Sequence, residues 1–296
     1  MDTSRTVSRS PSNRSIRLLQ AGFICVLITW LYAPIASGLV IECWRNPNYT
    51  YGLVVPIFSL FVLWQDRAKL SELPLRPSWS GLTMLLFAVV ALVIGTISSE
   101  FFLPRISFLF LICGMVVFFA GWEHLVAVSF PLGFLILMAP SASIFDYITL
   151  PLQLIASHAG AFLLKLAGVS VIREGNILFV PGAGLQVAEA CSGIQFLFSL
   201  LTLAVIYGYV VEKRVKLRIL LALAAVPIAI AANGLRIALA AIAIQHLGLE
   251  RTRGFFHIFS GWAVFMLSLV MLFLFHATLA ISCTRLRASQ AQVSCT

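Results

Sequence analysis

The sequence predicts an all-α polytopic membrane protein of about eight transmembrane helices, with a short extracytoplasmic β-hairpin and an interfacial helix between the fifth and sixth. Three observations predict this. Of the 296 residues, 60% are hydrophobic and only 10% charged, and the mean hydropathy is +1.01, far above that of a water-soluble domain. Several uninterrupted apolar runs reach the ~20 residues that a helix needs to cross ~30 Å of hydrocarbon. Basic residues gather in short clusters between those runs rather than along one face. Only a helix or a closed barrel satisfies its backbone within lipid, and runs of this length select the helix.

The chain begins with a Ser- and Arg-rich stretch, residues 1–17, expected to be disordered and cytoplasmic. The next apolar run, residues 18–41, is longer than the roughly 7–15 residues of a signal-peptide core, so it is read as the first span. A polar loop over residues 42–51 leads to a shortish second span, 52–65, and a Pro-rich basic linker follows. Spans three to five are assigned to residues 81–98, 101–120 and 124–139.

Between Pro140 and Ala190 the pattern changes. Residues 150–166 are expected to lie on or dip into the membrane surface. The β-branched and apolar residues flanking Glu174-Gly175-Asn176 predict a hairpin with a Gly-Asn turn. A hairpin edge cannot face lipid, which places it outside the bilayer. Span six is residues 192–211, and span seven runs from Ile219 to Leu247 with Pro227 and Asn233-Gly234 inside it. As one straight helix of 29 residues, span seven would measure about 43 Å, so either tilt or a break at Asn233-Gly234 is expected. Span eight covers residues 256–281. Residues 18–282 thus form one membrane domain, and residues 283–296 a short cytoplasmic tail.

Eight spans put both termini on one side. Of the twenty Lys and Arg, thirteen fall on that side, six on the other, and Arg236 lies within span seven. The positive-inside rule therefore makes the termini cytoplasmic in a multi-pass protein of the cytoplasmic membrane. The net charge of +9 reflects these topology signals and membrane lipid contacts, so no nucleic-acid partner is expected. Six cysteines without a C-x-x-C pair argue against a zinc site or a disulfide framework.

This topology puts Cys191 at the outward start of span six and His257 at the outward start of span eight. Arg236, about 17 residues beyond Ile219, stands roughly 26 Å up span seven, near the outer boundary. A cysteine attacks as its thiolate, which a helix N-terminus, a nearby cation and a proton-accepting histidine all favour. Ser192 and Gly193 supply a small hydroxyl and an unhindered backbone whose amides can help bind an oxyanion. An arginine at membrane depth is costly and marks either a functional position with a bundle-facing partner or a structural tie to a helix end. Asn233, one turn before Arg236, can orient it or a substrate. Glu189 is either a solvated loop acid or a partner of Arg236 or His257. Cys43 is the other cysteine on the outward side, where a structural Cys43–Cys191 disulfide is the alternative to a free nucleophile.

Glu189-Ala190-Cys191-Ser192-Gly193-Ile194, Asn233-Gly234-Leu235-Arg236-Ile237 and Phe256-His257-Ile258-Phe259-Ser260-Gly261-Trp262 resemble, in order and context, the Cys, Arg and His motifs of the exosortase/archaeosortase family. Tyr51-Gly52-Leu53-Val54-Val55-Pro56 resembles the family's early helix, with Tyr51 where many relatives carry His, and Arg173-Glu174-Gly175-Asn176 resembles the segment before the Cys motif. The resemblance implies a membrane cysteine transpeptidase or protease with Cys191, Arg236 and His257 as its catalytic residues. Its implied substrates are exported proteins ending in a Pro-Glu-Pro-like motif, a transmembrane helix and a basic tail. The acceptor that resolves the acyl-enzyme is unspecified, and the chemistry requires no metal or organic cofactor. Two other classes are distinguishable from this one. A transporter or flippase would use Arg236 to line a path and would need paired broken helices. An acyltransferase of exopolysaccharide assembly would need a histidine but not Cys191.

Overall fold

The computed structural model describes residues 11–99, 102–138, 142–181, 183–186, 193–248 and 255–293. It is a helical bundle. Helix α1 (Pro11–Arg45) is followed by a 3-10 segment (Pro47–Leu53), α2 (Val54–Gln65) and the short α3 (Arg67–Glu72). Then come α4 (Ser80–Ile97), α5 (Phe102–Phe119), α6 (Trp122–Ala127), α7 (Ser129–Phe134) and a 3-10 turn (Leu135–Met138). Helix α8 (Ala142–Leu166) precedes strands β1 (Ile172–Glu174), β2 (Ile177–Val180) and β3 (Ala183–Gln186). Three helices close the chain, α9 (Ile194–Val211), α10 (Val215–Leu247) and α11 (Phe255–Val293).

Among the described residues, seven helices are long and apolar enough to cross a membrane, and two shorter apolar pieces cover Tyr49–Gln65 and Ser129–Met138. Contacts show how the short pieces run. The start of the first lies with Cys43 and Ile194 in one apolar cluster, while Asp66 at its far end accepts a hydrogen bond from the Tyr209 hydroxyl near the end of α9, at 3.3 Å. The second packs beside it in the opposite sense, with Ser59 donating to the Pro131 carbonyl at 3.0 Å and Met138 against Gly52. Both therefore connect the same two ends of the bundle as the long helices do.

The expected fifth span is corrected in one respect, because it is not a continuous helix. Proline 131 has no N–H to give, and its ring would collide with the carbonyl of Ala127, four residues earlier. Helix α6 stops at that residue, and the chain restarts as α7 and the 3-10 turn. At the other extreme α10 runs unbroken through Pro227 and Asn233-Gly234 for 33 residues, about 50 Å. The break considered at Asn233-Gly234 is absent, and the helix instead extends well past a ~30 Å core. Helix α1 starts at Pro11, earlier than the expected Leu18, and α11 reaches Val293, so the expected disordered and tail segments are helical where they are described.

The C-terminal part of α10 carries the layer at the end of the bundle where α9 begins. Ile237, Ala238 and Ala241 form one buried cluster with Ala156, Ala161 and Leu164 of α8 and Leu178 and Val180 of β2. A Cβ on Gly234 would stand 2.6 Å from that of Ala159, so the two helices touch backbone to backbone there. Length alone would let α8 span, yet its contacts stay at this end. Ile148 and Leu152 pack beside Cys43 and Ile194, and Gln153 and Ser157 hold the hairpin tip through Asn176 Nδ2, at 2.9 Å, and the Gly175 carbonyl, at 3.1 Å. Glu174 pairs with Ile177 across the Gly175-Asn176 turn as predicted, and Gly175 has φ +60°. The sheet gains a third antiparallel strand, β3.

Helices α4 and α5 make a separate hairpin in which small residues allow close approach. A Cβ on Gly81 would lie 2.3 Å from the Phe118 amide nitrogen. Arg105 at the start of α5 forms an ion pair with Glu42 of α1, which joins this hairpin to the rest.

At the opposite end a polar network ties α9, α10 and α11 together. The Glu212 carboxylate accepts from Arg214 Nε at 3.1 Å and from the Arg214 amide at 3.0 Å. Arg218 Nε donates to the Glu212 carbonyl at 2.6 Å. His276 Nε2 stands 3.8 Å from the carboxylate, and Tyr207 hydrogen-bonds the other ring nitrogen at 2.8 Å. Hydrogen bonds from Arg214 hold the Glu212 carboxyl down to about 2, from an ordinary 4.5. Its stabilising contribution is thus complete above about 4.5 and is lost as pH falls through about 2. Glu212→Gln should cost about 1–2 kcal/mol at pH 7. In thermal scans in detergent, the gap to the parent protein should close across that acid window.

Candidate functional site

Helix α10 presents Asn233 and Arg236 three residues apart on one face. Both are buried, at 1% and 7% exposure. Counted from Val215, they stand about 27 and 32 Å along the helix, a distance close to the ~30 Å thickness of a hydrocarbon core. Each side chain meets a glycine on a neighbouring helix. Asn233 abuts Gly193, where an added Cβ would be 2.7 Å from Asn233 Nδ2. The Arg236 guanidinium abuts Gly261 of α11, where a Cβ would be 3.1 Å from a terminal nitrogen. The guanidinium carbon also lies 5.1 Å from the centre of the Phe196 ring on α9, within cation–π range.

Gly193 is the N-cap of α9 and adopts φ +81°, ψ 1°, the left-handed region that residues with a Cβ enter only at a cost. Its carbonyl accepts the first ladder bond of the helix from Leu197, at 2.8 Å. The N–H groups of that first turn point back toward the chain entering the helix, and with the helix dipole they make a favourable setting for negative charge. The positive guanidinium of Arg236 is buried beside the same turn. The site end of the bundle is therefore built from three helices, with a buried guanidinium beside the start of α9.

Of the residues singled out in the sequence, Gly193, Asn233 and Arg236 are brought together. Glu189, Cys191 and Ser192 lie outside the described residues. His257 belongs to the first turn of α11, one turn before Gly261, and its side chain is outside the described residues. The contacts thus link residues from each of the three motif segments, Gly193 from the first, Asn233 and Arg236 from the second, and Gly261 from the third.

The sequence matches the transmembrane exosortase family over residues 43–274. The chain belongs to that family. No curated protein and no solved structure matches it.

Within this exosortase, two further residues at the same end of the bundle acquire definite surroundings. Cys43 is a free, buried thiol, so the alternative of a structural disulfide through it is not formed. It packs with Tyr49 and Ile194, and a Cβ on Gly52 would sit 2.6 Å from its sulfur. Tyr51, to which sequence reasoning assigned no role, is 8% exposed. Its ring stacks on Phe198 of α9, with centroids 5.7 Å apart and planes at 10°. Among the described residues, its buried hydroxyl has no hydrogen-bond partner. The sequence signal was present only as an unusual residue at a motif position, since burial is a property of the packed 3-10 segment.

Proposed function

We propose that this exosortase is a membrane-embedded cysteine transpeptidase or protease that cuts the C-terminal sorting signal of exported proteins at the outer face of the cytoplasmic membrane. The observation that carries the reading is the meeting of Asn233 and Arg236 with Gly193 and Gly261, which joins the three motif segments at the N-terminus of α9. Family membership supplies the reaction class.

In this reading His257 takes the thiol proton of Cys191, and the sulfur attacks the carbonyl carbon at the sorting motif. Arg236 and the amides at the start of α9 stabilise the oxyanion as it develops. The C–N bond breaks, the proton passes from His257 to the departing amine, and an acyl thioester stays on Cys191. An amine acceptor or water, deprotonated by His257, attacks the thioester and releases the product. Asn233 acts by holding the start of α9, through its contact with Gly193. The substrate's own transmembrane helix and basic tail would bring the scissile peptide to this depth, with both termini of the enzyme in the cytoplasm. A transporter reading loses support, because α10 is continuous at the one candidate break.

The test is processing of a tailed substrate in membranes, with Cys191→Ala beside the parent. Processing should fall to background while the variant keeps its thermal transition, and the parent should yield a substrate adduct released by hydroxylamine. A Cys191→Ala protein that still trims its substrate rules the reading out.

A further inference from the structure

Helix α1 is tied to the α4–α5 hairpin at two levels. At the lower one the Tyr32 hydroxyl donates to the Ala88 carbonyl at 3.4 Å, within a cluster that includes Leu92 and Leu111. At the other, Glu42 near the end of α1 pairs with Arg105 near the start of α5, about 15 Å further along α1. Between these ties the helices stand apart around a cavity of about 390 Å³, within the size range of small-molecule sites. Ile35, Gly38 and Leu39 line it from α1, Gly95 from α4, and Pro104 and Arg105 from α5.

Two features mark this space as kept for an occupant. Gly38 lies inside α1, where glycine weakens a helix relative to alanine, and among the described residues no atom lies within 4 Å of a Cβ added there. Gly81 and Gly95 differ, because Cβ atoms on them would come within 2.3 and 2.5 Å of α5. Packing within the chain therefore accounts for those glycines and not for Gly38. The second feature is charge. In otherwise apolar walls stands the guanidinium of Arg105, its side chain 10% exposed, with the Glu42 carboxylate beside it.

We propose that this cavity binds one membrane phospholipid with a zwitterionic headgroup. An acyl chain fills the space beside Gly38, the phosphate meets Arg105, and the headgroup ammonium meets Glu42. A lone cation would favour an anionic lipid, whereas an adjoining cation and anion match a headgroup that carries both. The planar donor fork of arginine suits phosphate, and both charged residues stand at the ends of apolar helices long enough to span, where headgroups lie. The bound lipid closes the gap between α1 and the hairpin. This inference does not depend on the peptidase reading.

The test is thermal unfolding of the detergent-purified protein, parent and Gly38→Leu, with added phosphatidylethanolamine, phosphatidylglycerol or diacylglycerol of the same acyl chains. The parent's transition should rise by about 5 °C at saturating phosphatidylethanolamine, and by about half that or less with either of the others. The new side chain of Gly38→Leu has open space to enter and removes a helix glycine, so this variant should unfold at or above the parent's temperature and respond to none of the lipids. No shift in the parent, an equal or larger shift with phosphatidylglycerol or diacylglycerol, or an undiminished shift in Gly38→Leu overturns the proposal. A variant that responds to lipid as the parent does but loses binding of a tailed substrate would give the cavity to the substrate's helix instead. If Gly38→Leu does not fold, the parent's order of preference among the three lipids decides the matter alone.

Discussion

Replacing Arg236 with Met should lower the rate of substrate processing by about 10²–10³-fold, the range seen when one preorganised oxyanion donor is removed, while leaving the bundle folded. The two halves of this expectation have different causes. Arg236 is 7% exposed at membrane depth, so its charge is expensive to keep there. An unbranched apolar side chain of similar reach can fill the space between Phe196 and Gly261 without that cost. Stability should still fall modestly, because the substitution gives up the cation–π contact with Phe196, while the bundle stays folded. Arg236→Lys should recover only part of the rate, because an ammonium reproduces the charge but not the planar donor fork that fits between a ring and a glycine. Single-turnover processing and a thermal scan in detergent check both halves. Loss of activity together with loss of fold would make Arg236 a structural tie instead.

Gly193→Ala should destabilise the protein by about 2–4 kcal/mol, combining left-handed strain with overpacking, and should depress processing as well. The added Cβ has to fit at φ +81° and only 2.7 Å from Asn233 Nδ2, 2.9 Å from its Cγ and 3.1 Å from its Cβ. Asn233 is 1% exposed and has nowhere to retreat. The strain and the clash can be separated with a second substitution. Asn233→Ala in the Gly193→Ala background should restore the overpacking part and leave the backbone part. A double-mutant cycle by thermal unfolding would then show a positive coupling. Strictly additive effects would mean that the two side chains do not share this space.

Much of the arrangement was legible before any packing was known, and the residues show why. The spans were readable because lipid demands long apolar runs, and the hairpin because Gly175-Asn176 sits between β-branched and apolar strands. The height of Arg236 along its helix followed from counting residues up span seven. Other features depended on neighbours distant in sequence. The expected fifth span is divided because Pro131 closes α6 at Ala127, a rule that is local but was outweighed by an apolar run long enough to span. Helix α10 passes through Pro227 and Asn233-Gly234 because surrounding helices pack that stretch on several sides, with Gly234 against Ala159. Helix α8 is long enough to span, yet its contacts follow the C-terminal part of α10 and the hairpin.

By itself, then, the sequence determined that this protein is a many-helix membrane protein and which three segments belong together, because hydropathy period, charge bias and motif order are properties of the chain. Only the tertiary structure decided which atoms meet. Gly193 receives Asn233, Gly261 receives Arg236, and Tyr51 buries its ring on Phe198. These meetings depend on the relative height and rotation of α9, α10 and α11, which side chains far apart in sequence fix through packing and which no local pattern encodes.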